Sequence, residues 1–329
     1  MLNTFPLSLG IVVIGRNEGQ RLVDCLASLP KDLPIVYVDS GSTDHSVAHA
    51  KEIGATVVEL DMIRPFTAAR ARNEGVTALK AKAPGLEAVQ FLDGDTILDP
   101  DWLRLAMDFL VAHPEVVAVA GRRREKYPDA SWYNTLCDIE WNTPIGEAAA
   151  VGGDALYLLD AFEKVGGFNP RVIAGEEPEL CFRLRQEGGK VFRLNAEMTQ
   201  HDAAIHTFPA WWKRGERSGY AFTLGALMHG QGAERYNVRP TLRALFWGGA
   251  LPLLFVLAVL LAQPIIALLV LALYGAKWIK MRRRFAGSLE KPGKYALFLM
   301  ILNMAEAKGS LSCLWDRLRN KDMQIIEYK

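Results

Sequence analysis

A chain of 329 residues with 38 Lys and Arg against 37 Asp and Glu carries a formal net charge of +1, which gives no electrostatic reason to expect a nucleic-acid partner. Hydrophobic residues make up 50% of it and are unevenly placed, so the length suits a catalytic domain over 1–235 and a membrane region over 236–329. Cys25, Cys137, Cys181 and Cys313 show no paired metal spacing and read as reduced thiols, and the amino terminus lacks the basic region of a secretory signal.

The first elements alternate. Ser8–Ile14 is a short apolar run rich in β-branched residues, and it ends at the polar loop Gly15–Glu18. That pattern predicts a buried strand with a loop at its carboxyl end. Arg21–Leu29 has helical spacing, with Leu22, Cys25, Leu26 and Leu29 on one face. A second strand is predicted at Ile35–Val38, running into Asp39–Asp44; a helix over Ser46–Ile53 and a strand over Thr56–Leu60 follow. Strand, helix, strand, helix, strand predicts an α/β domain around a parallel sheet. Ligands of such sheets bind at the carboxyl ends of the strands, where Arg16, Asp39 and Asp93 fall.

Asp93 and Asp95 follow the buried-looking strand Ala88–Leu92. Residues i and i+2 of a strand point to one side. Two carboxylates so close repel unless a cation lies between them, and hard cations such as Mg²⁺ or Mn²⁺ prefer carboxylate oxygen. The pair reads as a metal site, and the metal as a partner for phosphate. Gly152 and Gly153 let backbone approach a ligand closely beside Asp154. Glu176, Glu177 and Glu179 crowd together after Gly175; they suit the first turn of a helix through Leu180 and Leu184, where negative charge is favoured in any case. A strand is expected at Lys190–Leu194. His201 and His206 follow it; of the two His201 is the better candidate metal ligand, with a surface or hydrogen-bonding histidine as the other reading. Asp44 reads as a turn former before the helix at Ser46.

From Ala244 to Ile279 there is no acidic residue, and the first basic one is Lys277. The run is longer than one ~30 Å crossing needs, and Gln263–Pro264 divides it into spans of about 244–262 and 264–280. Arg235, Arg239 and Arg243 precede it; Lys277, Lys280 and Arg282–Arg284 follow it. Positive charge at both ends predicts a hairpin with both ends cytoplasmic. Tyr295–Arg319 carries internal charges and reads as an amphipathic helix on the membrane or on the catalytic domain. The Trp211–Tyr220 segment mixes aromatics with Arg214 and Arg217, which fits phosphate clamping or a membrane-surface helix.

Five blocks occur in order: Ile14–Glu18, Val38–Asp44, Ala71–Gly75, Leu92–Asp95 and Gly175–Arg183. Together they resemble the family 2 glycosyltransferases, inverting enzymes of the GT-A fold that use nucleotide-diphospho-sugars. The resemblance covers roughly residues 8–190. It implies that Asp39 reads the nucleobase, that Asp93 and Asp95 hold Mn²⁺ or Mg²⁺ on the donor diphosphate, and that Arg16, Glu18, Ser40, Arg72 and Asp154 line the donor and acceptor site. The general base falls on Glu177, where the family more often has Asp, with Glu176 as its rival. No Gln-x-x-Arg-Trp motif is present, which points to transfer of one sugar rather than processive synthesis. The expectation is a multi-pass enzyme of the cytoplasmic membrane that transfers a sugar to a lipid-linked or envelope-glycan acceptor. Two other readings stay open: a haloacid-dehalogenase-like phosphatase with Asp93 as nucleophile, and a non-catalytic membrane scaffold.

Overall fold

The computed structural model describes residues 5–64 and 66–319, which form two compact units divided in sequence between Ala204 and Ile205. The first unit contains β1 (Leu9–Gly15), α1 (Gln20–Ala27), β2 (Ile35–Asp39), α2 (Ser46–Glu52), β3 (Thr56–Glu59), α3 (Ala68–Lys82), β4 (Ala88–Asp93) and β5 (Thr96–Leu98). It continues with α4 (Trp102–Ala112), β6 (Val116–Glu125), α5 (Trp132–Trp141), β7 (Gly146–Glu147), β8 (Ala155–Leu158), α6 (Leu159–Lys164), α7 (Glu176–Gln186) and β9 (Lys190–His201).

The nine strands join in one mixed sheet, ordered β3-β2-β1-β4-β8-β6-β9-β5, with β7 paired to β9. The expected parallel strands form its first half: β1 lies between β2 and β4, parallel to both. Buried from Leu9 through Ile14, β1 shows no polar alternation because helices cover both faces of such a sheet. Antiparallel β8 then turns the sheet mixed. Register fixes the site: Gly15 pairs with Asp39, and Ile14 pairs with Asp93. Three strands therefore end side by side and bring the loops after β1, β2 and β4 to one edge.

Two boundaries that shape the site differ from the sequence expectation. β9 extends to His201 rather than stopping at Leu194, because its distal half pairs with both β6 and β5. β4 ends at Asp93, and Gly94 and Asp95 form a tight turn into β5. That turn, rather than strand alternation, brings Asp93 and Asp95 together.

The second unit is helical: α8 (Phe208–His229), α9 (Val238–Ala244), a π-helical stretch (Leu245–Ala250), α10 (Leu251–Leu260), α11 (Pro264–Phe285) and α12 (Pro292–Leu318). Three helices, Val238–Leu260, Pro264–Phe285 and Pro292–Leu318, are long and apolar enough to cross a membrane. The break expected at Gln263–Pro264 is present, with Ala262 at φ 52°. Leu260 (74%) and Ile265 (73%) are largely exposed on either side of it, the reverse of a water-soluble core helix.

α12 covers the helix expected at Tyr295–Arg319. Its polar residues Asn303 and Glu306 are buried, whereas Leu311, Trp315 and Leu318 are exposed. Glu306 pairs with Arg243 at 2.7 Å, whereas Lys308 stays 63% exposed while pairing with Glu216 at 2.6 Å. A Cβ on Gly219 would fall 1.9 Å from the Glu306 carbonyl, and one on Gly309 would fall 1.9 Å from the Glu216 carbonyl. α8 and α12 therefore touch backbone to backbone, and α8 groups with the helices that follow it rather than with the sheet. The last residues of the expected membrane region, 320–329, lie outside the described residues.

Candidate active site

The site is built on the three adjacent strand ends. Asp39 closes β2 and accepts four hydrogen bonds: from the Tyr37 hydroxyl (3.0 Å), Gly41 N (2.9 Å), Ser42 N (2.8 Å) and Ser42 Oγ (2.5 Å). The carboxylate thus organises its own loop, and Ser40 is buried beside it. Asn17, held at φ 55°, fastens the β1 loop to this one by accepting from Thr43 N at 2.7 Å and donating its own N–H to Ser42 Oγ at 2.9 Å. Arg16 is exposed and lies over the Phe66 ring at 4.7 Å; Glu18 pairs with Arg21 at 2.7 Å. Asp44 caps turns, as expected, accepting from Gly19 N and Ser46 N.

Arg72 reaches the site from α3. Gly75 makes this possible, since a Cβ there would sit 2.4 Å from Val12 of β1; its absence lets the helix lie close to the sheet. The Arg72 guanidinium is buried and meets three carboxylates: Asp93 at 2.9 Å, Glu177 at 2.9 Å and Glu176 at 3.2 Å. Asn73, next in sequence, instead brackets Phe168 with two backbone hydrogen bonds.

Asp93 is held from the other side by Arg123 of β6 at 3.1 Å. Burial works against its ionised form, but Arg72 and Arg123 outweigh it and hold the carboxyl below its ordinary value. Asp93, Asp95 and His201 each offer a ligand atom within 4.8 Å of the others, and His201 Nε2 lies 3.0 Å from Asp95 Oδ1. Two carboxylates and an imidazole at that spacing suit a divalent cation that accepts oxygen and nitrogen donors. His201 gets there because β9 pairs with β5, placing it directly opposite Thr96.

Asp154 is turned to in-chain partners. Its side chain is fully buried, 3.2 Å from Arg123, and accepts from Asp93 N (3.1 Å) and Thr199 Oγ (2.9 Å). Burial pushes its carboxyl above the ordinary range, with Arg123 opposing. The residue expected to line the donor and acceptor site thus lies directly behind Asp93.

Glu176 and Glu177 open α7 after Gly175, which takes the left-handed conformation at φ 76°. Glu176 is 4% exposed and Glu177 16%, so Glu177 is the one a substrate can reach. Burial, then the neighbouring Glu176 charge, push Glu177 up to about 7 against the pull of Arg72. Gly153 forms the wall: a Cβ there would be 2.6 Å from Arg72 and 3.1 Å from both Asp93 and Glu177.

Sequence reasoning missed Arg123, Thr199 and Trp141. Arg123 lies over the Trp141 ring at 4.9 Å, and that ring stands 4.8 Å from His201. A signal existed in the three arginines, 122–124, that close an apolar strand. Alternation sends Arg122 to Asp138 and Arg124 to Glu197, and Arg123 to the opposite side.

Comparison with known proteins finds two family models on this chain. The model for glycosyl transferase family 2 matches residues 10–163, and the model for glycosyl transferase family group 2 matches residues 88–281. Among solved structures, the mannosyltransferase PcManGT from Pyrobaculum calidifontis, in complex with GDP-Man and Mn²⁺, aligns with a TM-score of 0.60 at 19% identity, over 95% of this chain and 89% of that one. TarS 1-349 from S. aureus aligns with a TM-score of 0.51 at 15% identity, over 93% of this chain and 91% of that one.

Proposed function

The chain belongs to glycosyl transferase family 2, and from that premise we propose that it transfers one sugar from a nucleotide-diphospho-sugar to a lipid-linked or envelope-glycan acceptor at the cytoplasmic face of a membrane. It is a GT-A-fold, nucleotide-sugar-dependent enzyme of an inverting family. The finer assignments are ours. The observation that carries them is the convergence of Glu177, Arg72 and Asp93 at one sheet edge, within 3 Å contacts.

In this reading Glu177 is the general base. A carboxyl with a value of about 7 is partly ionised at neutral pH and still basic enough to take a hydroxyl proton. The acceptor oxygen attacks the anomeric carbon while Glu177 removes its proton. The bond to the donor's diphosphate oxygen breaks, and the electron pair leaves with the nucleoside diphosphate. Glu176, less exposed, acts through its charge on Glu177. Asp39, pre-oriented by its four in-chain donors, receives the nucleobase beside Ser40, while Arg16 and Glu18 border the donor. Asp154 is a positioning residue behind Asp93.

Asp93, Asp95 and His201 would hold Mn²⁺ or Mg²⁺; that ion, when bound, neutralises the charge developing on the leaving diphosphate. Arg72 and Arg123 are then placed to contact phosphate oxygens from the protein side. The membrane reading is supported by three long apolar helices and basic residues at their ends, and it favours an amphiphilic acceptor.

The test is nucleotide binding by the purified protein in detergent, with UDP, GDP, dTDP and CMP, with and without Mn²⁺. GDP-mannose, the donor seen with PcManGT, is the first sugar donor to try. Metal-dependent binding of one diphosphonucleotide is expected; binding of none would overturn the donor assignment. A phosphatase with Asp93 as nucleophile would leave Glu177 without a task, and a phospho-aspartate trapped at Asp93 would revive it.

A further inference from the structure

We propose that the helical unit contains a second ligand site, in which Lys277, Trp247 and Arg243 bind the phosphate of an anionic lipid. The proposal rests on the reading that these helices lie in a membrane.

The starting point is the Lys277 ammonium. Its Nζ is fully buried and has no hydrogen-bond partner among the described residues. An ammonium carries three donors, and leaving them unmet away from water is costly. Lys277 lies 13 positions beyond Pro264 in α11, roughly 20 Å along the helix and short of the ~30 Å hydrocarbon thickness. A lysine at that depth calls for an acceptor.

The surroundings suit an oxyanion. Lys277 Nζ stands 4.0 Å from the centre of the Trp247 ring, which attracts the cation but accepts no conventional hydrogen bond. Its charged neighbours are Arg243 and Glu306. Glu306 is committed to Arg243 Nη2 at 2.7 Å, and the Arg243 side chain remains 47% exposed. Two cations against one carboxylate leave one positive charge. Phosphate presents several oxygens to such a pair.

The backbone is built for the position. Trp247 lies within the π-helical stretch Leu245–Ala250, and interruptions of this kind recur at functional sites. The Tyr274 hydroxyl donates to the Trp247 carbonyl, tying the stretch to α11. A Cβ on Gly248 would lie 1.9 Å from the Asn303 carbonyl, so the next residue presses on α12. Leu242 (59%) and Phe246 (49%) are exposed beside Arg243 and Trp247, apolar surface that an acyl chain would cover. The ligand class is therefore a phosphate with a hydrocarbon tail.

The experiment uses the full chain. Flotation with phosphatidylcholine vesicles first tests membrane association. Native mass spectrometry then measures retention of phosphatidylglycerol against phosphatidylcholine for the wild type, Lys277→Met and Lys277→Arg. Preferential retention of phosphatidylglycerol is expected, lost by about tenfold in Lys277→Met and kept in Lys277→Arg. Millimolar inorganic phosphate should leave the lipid in place; displacement would make free phosphate the ligand and overturn the lipid assignment. Equal retention by wild type and Lys277→Met would overturn the site alone. No flotation at all would overturn the membrane reading and the site with it.

Discussion

Glu177, the proposed base, carries a cost to the fold. Its carboxyl sits up near 7 from an ordinary 4.5 because burial and Glu176 disfavour the charged form. A raised carboxyl contributes stability that is complete below its unfolded value and is lost as pH rises through about 7. In the proposed mechanism the ionised form is nonetheless the one that takes a proton from an acceptor. Turnover should therefore rise with pH through about 7 as the fold loses stability. Glu177→Gln should keep nucleotide binding and lose about 10²–10⁴ in kcat. Metal-free Glu177→Gln should melt higher than the wild type at pH 8 and equally at pH 4; an unchanged melting difference across that range would remove the pKa argument. Asp95→Ala should weaken Mn²⁺ binding, read directly by electron paramagnetic resonance in the presence of nucleotide. Undiminished Mn²⁺ affinity would take Asp95 out of the metal site.

The decisive element is α3 against β1. Arg72 reaches three carboxylates only because Gly75 allows contact with Val12. Gly75→Ala introduces a Cβ 2.4 Å from a Val12 methyl, so the helix must shift. Overpacking of this kind costs about 1–3 kcal/mol. Urea unfolding should show that loss and turnover should fall as Arg72 is displaced; unchanged stability would mean the strand yields instead. The block Ala71–Gly75 was legible as a motif, yet nothing in its spacing says that Arg72 points inward and Asn73 sideways to Phe168. That follows from how the helix is rotated on the sheet.

The whole molecule joins an α/β unit to helices that invert the usual pattern. α12 buries Asn303 and Glu306 and exposes Leu311 and Leu318, which suits the proposed hydrocarbon surroundings. The proposed membrane location predicts integral behaviour: the protein should stay with membranes through high salt and alkaline carbonate and leave only with detergent. Release by salt alone would reduce the helices to a surface association.

Local pattern was enough for the strands β1, β2 and β4, the acids at their ends and the apolar hairpin, because each depends on periodicity and neighbours within a few residues. The family blocks could be read for the same reason. Tertiary structure alone decided the rest. His201 joins Asp93 and Asp95 through the pairing of β9 with β5, across more than a hundred residues of chain. Arg123 meets Asp93, and Asp154 is sealed behind it, because β6 and β8 lie on the same side of β4 in the sheet. Glu306 could be placed in a membrane-competent helix only once Arg243 was known to lie beside it. Strand order and helix rotation are set by the packing of the whole chain, and no local window of sequence contains them.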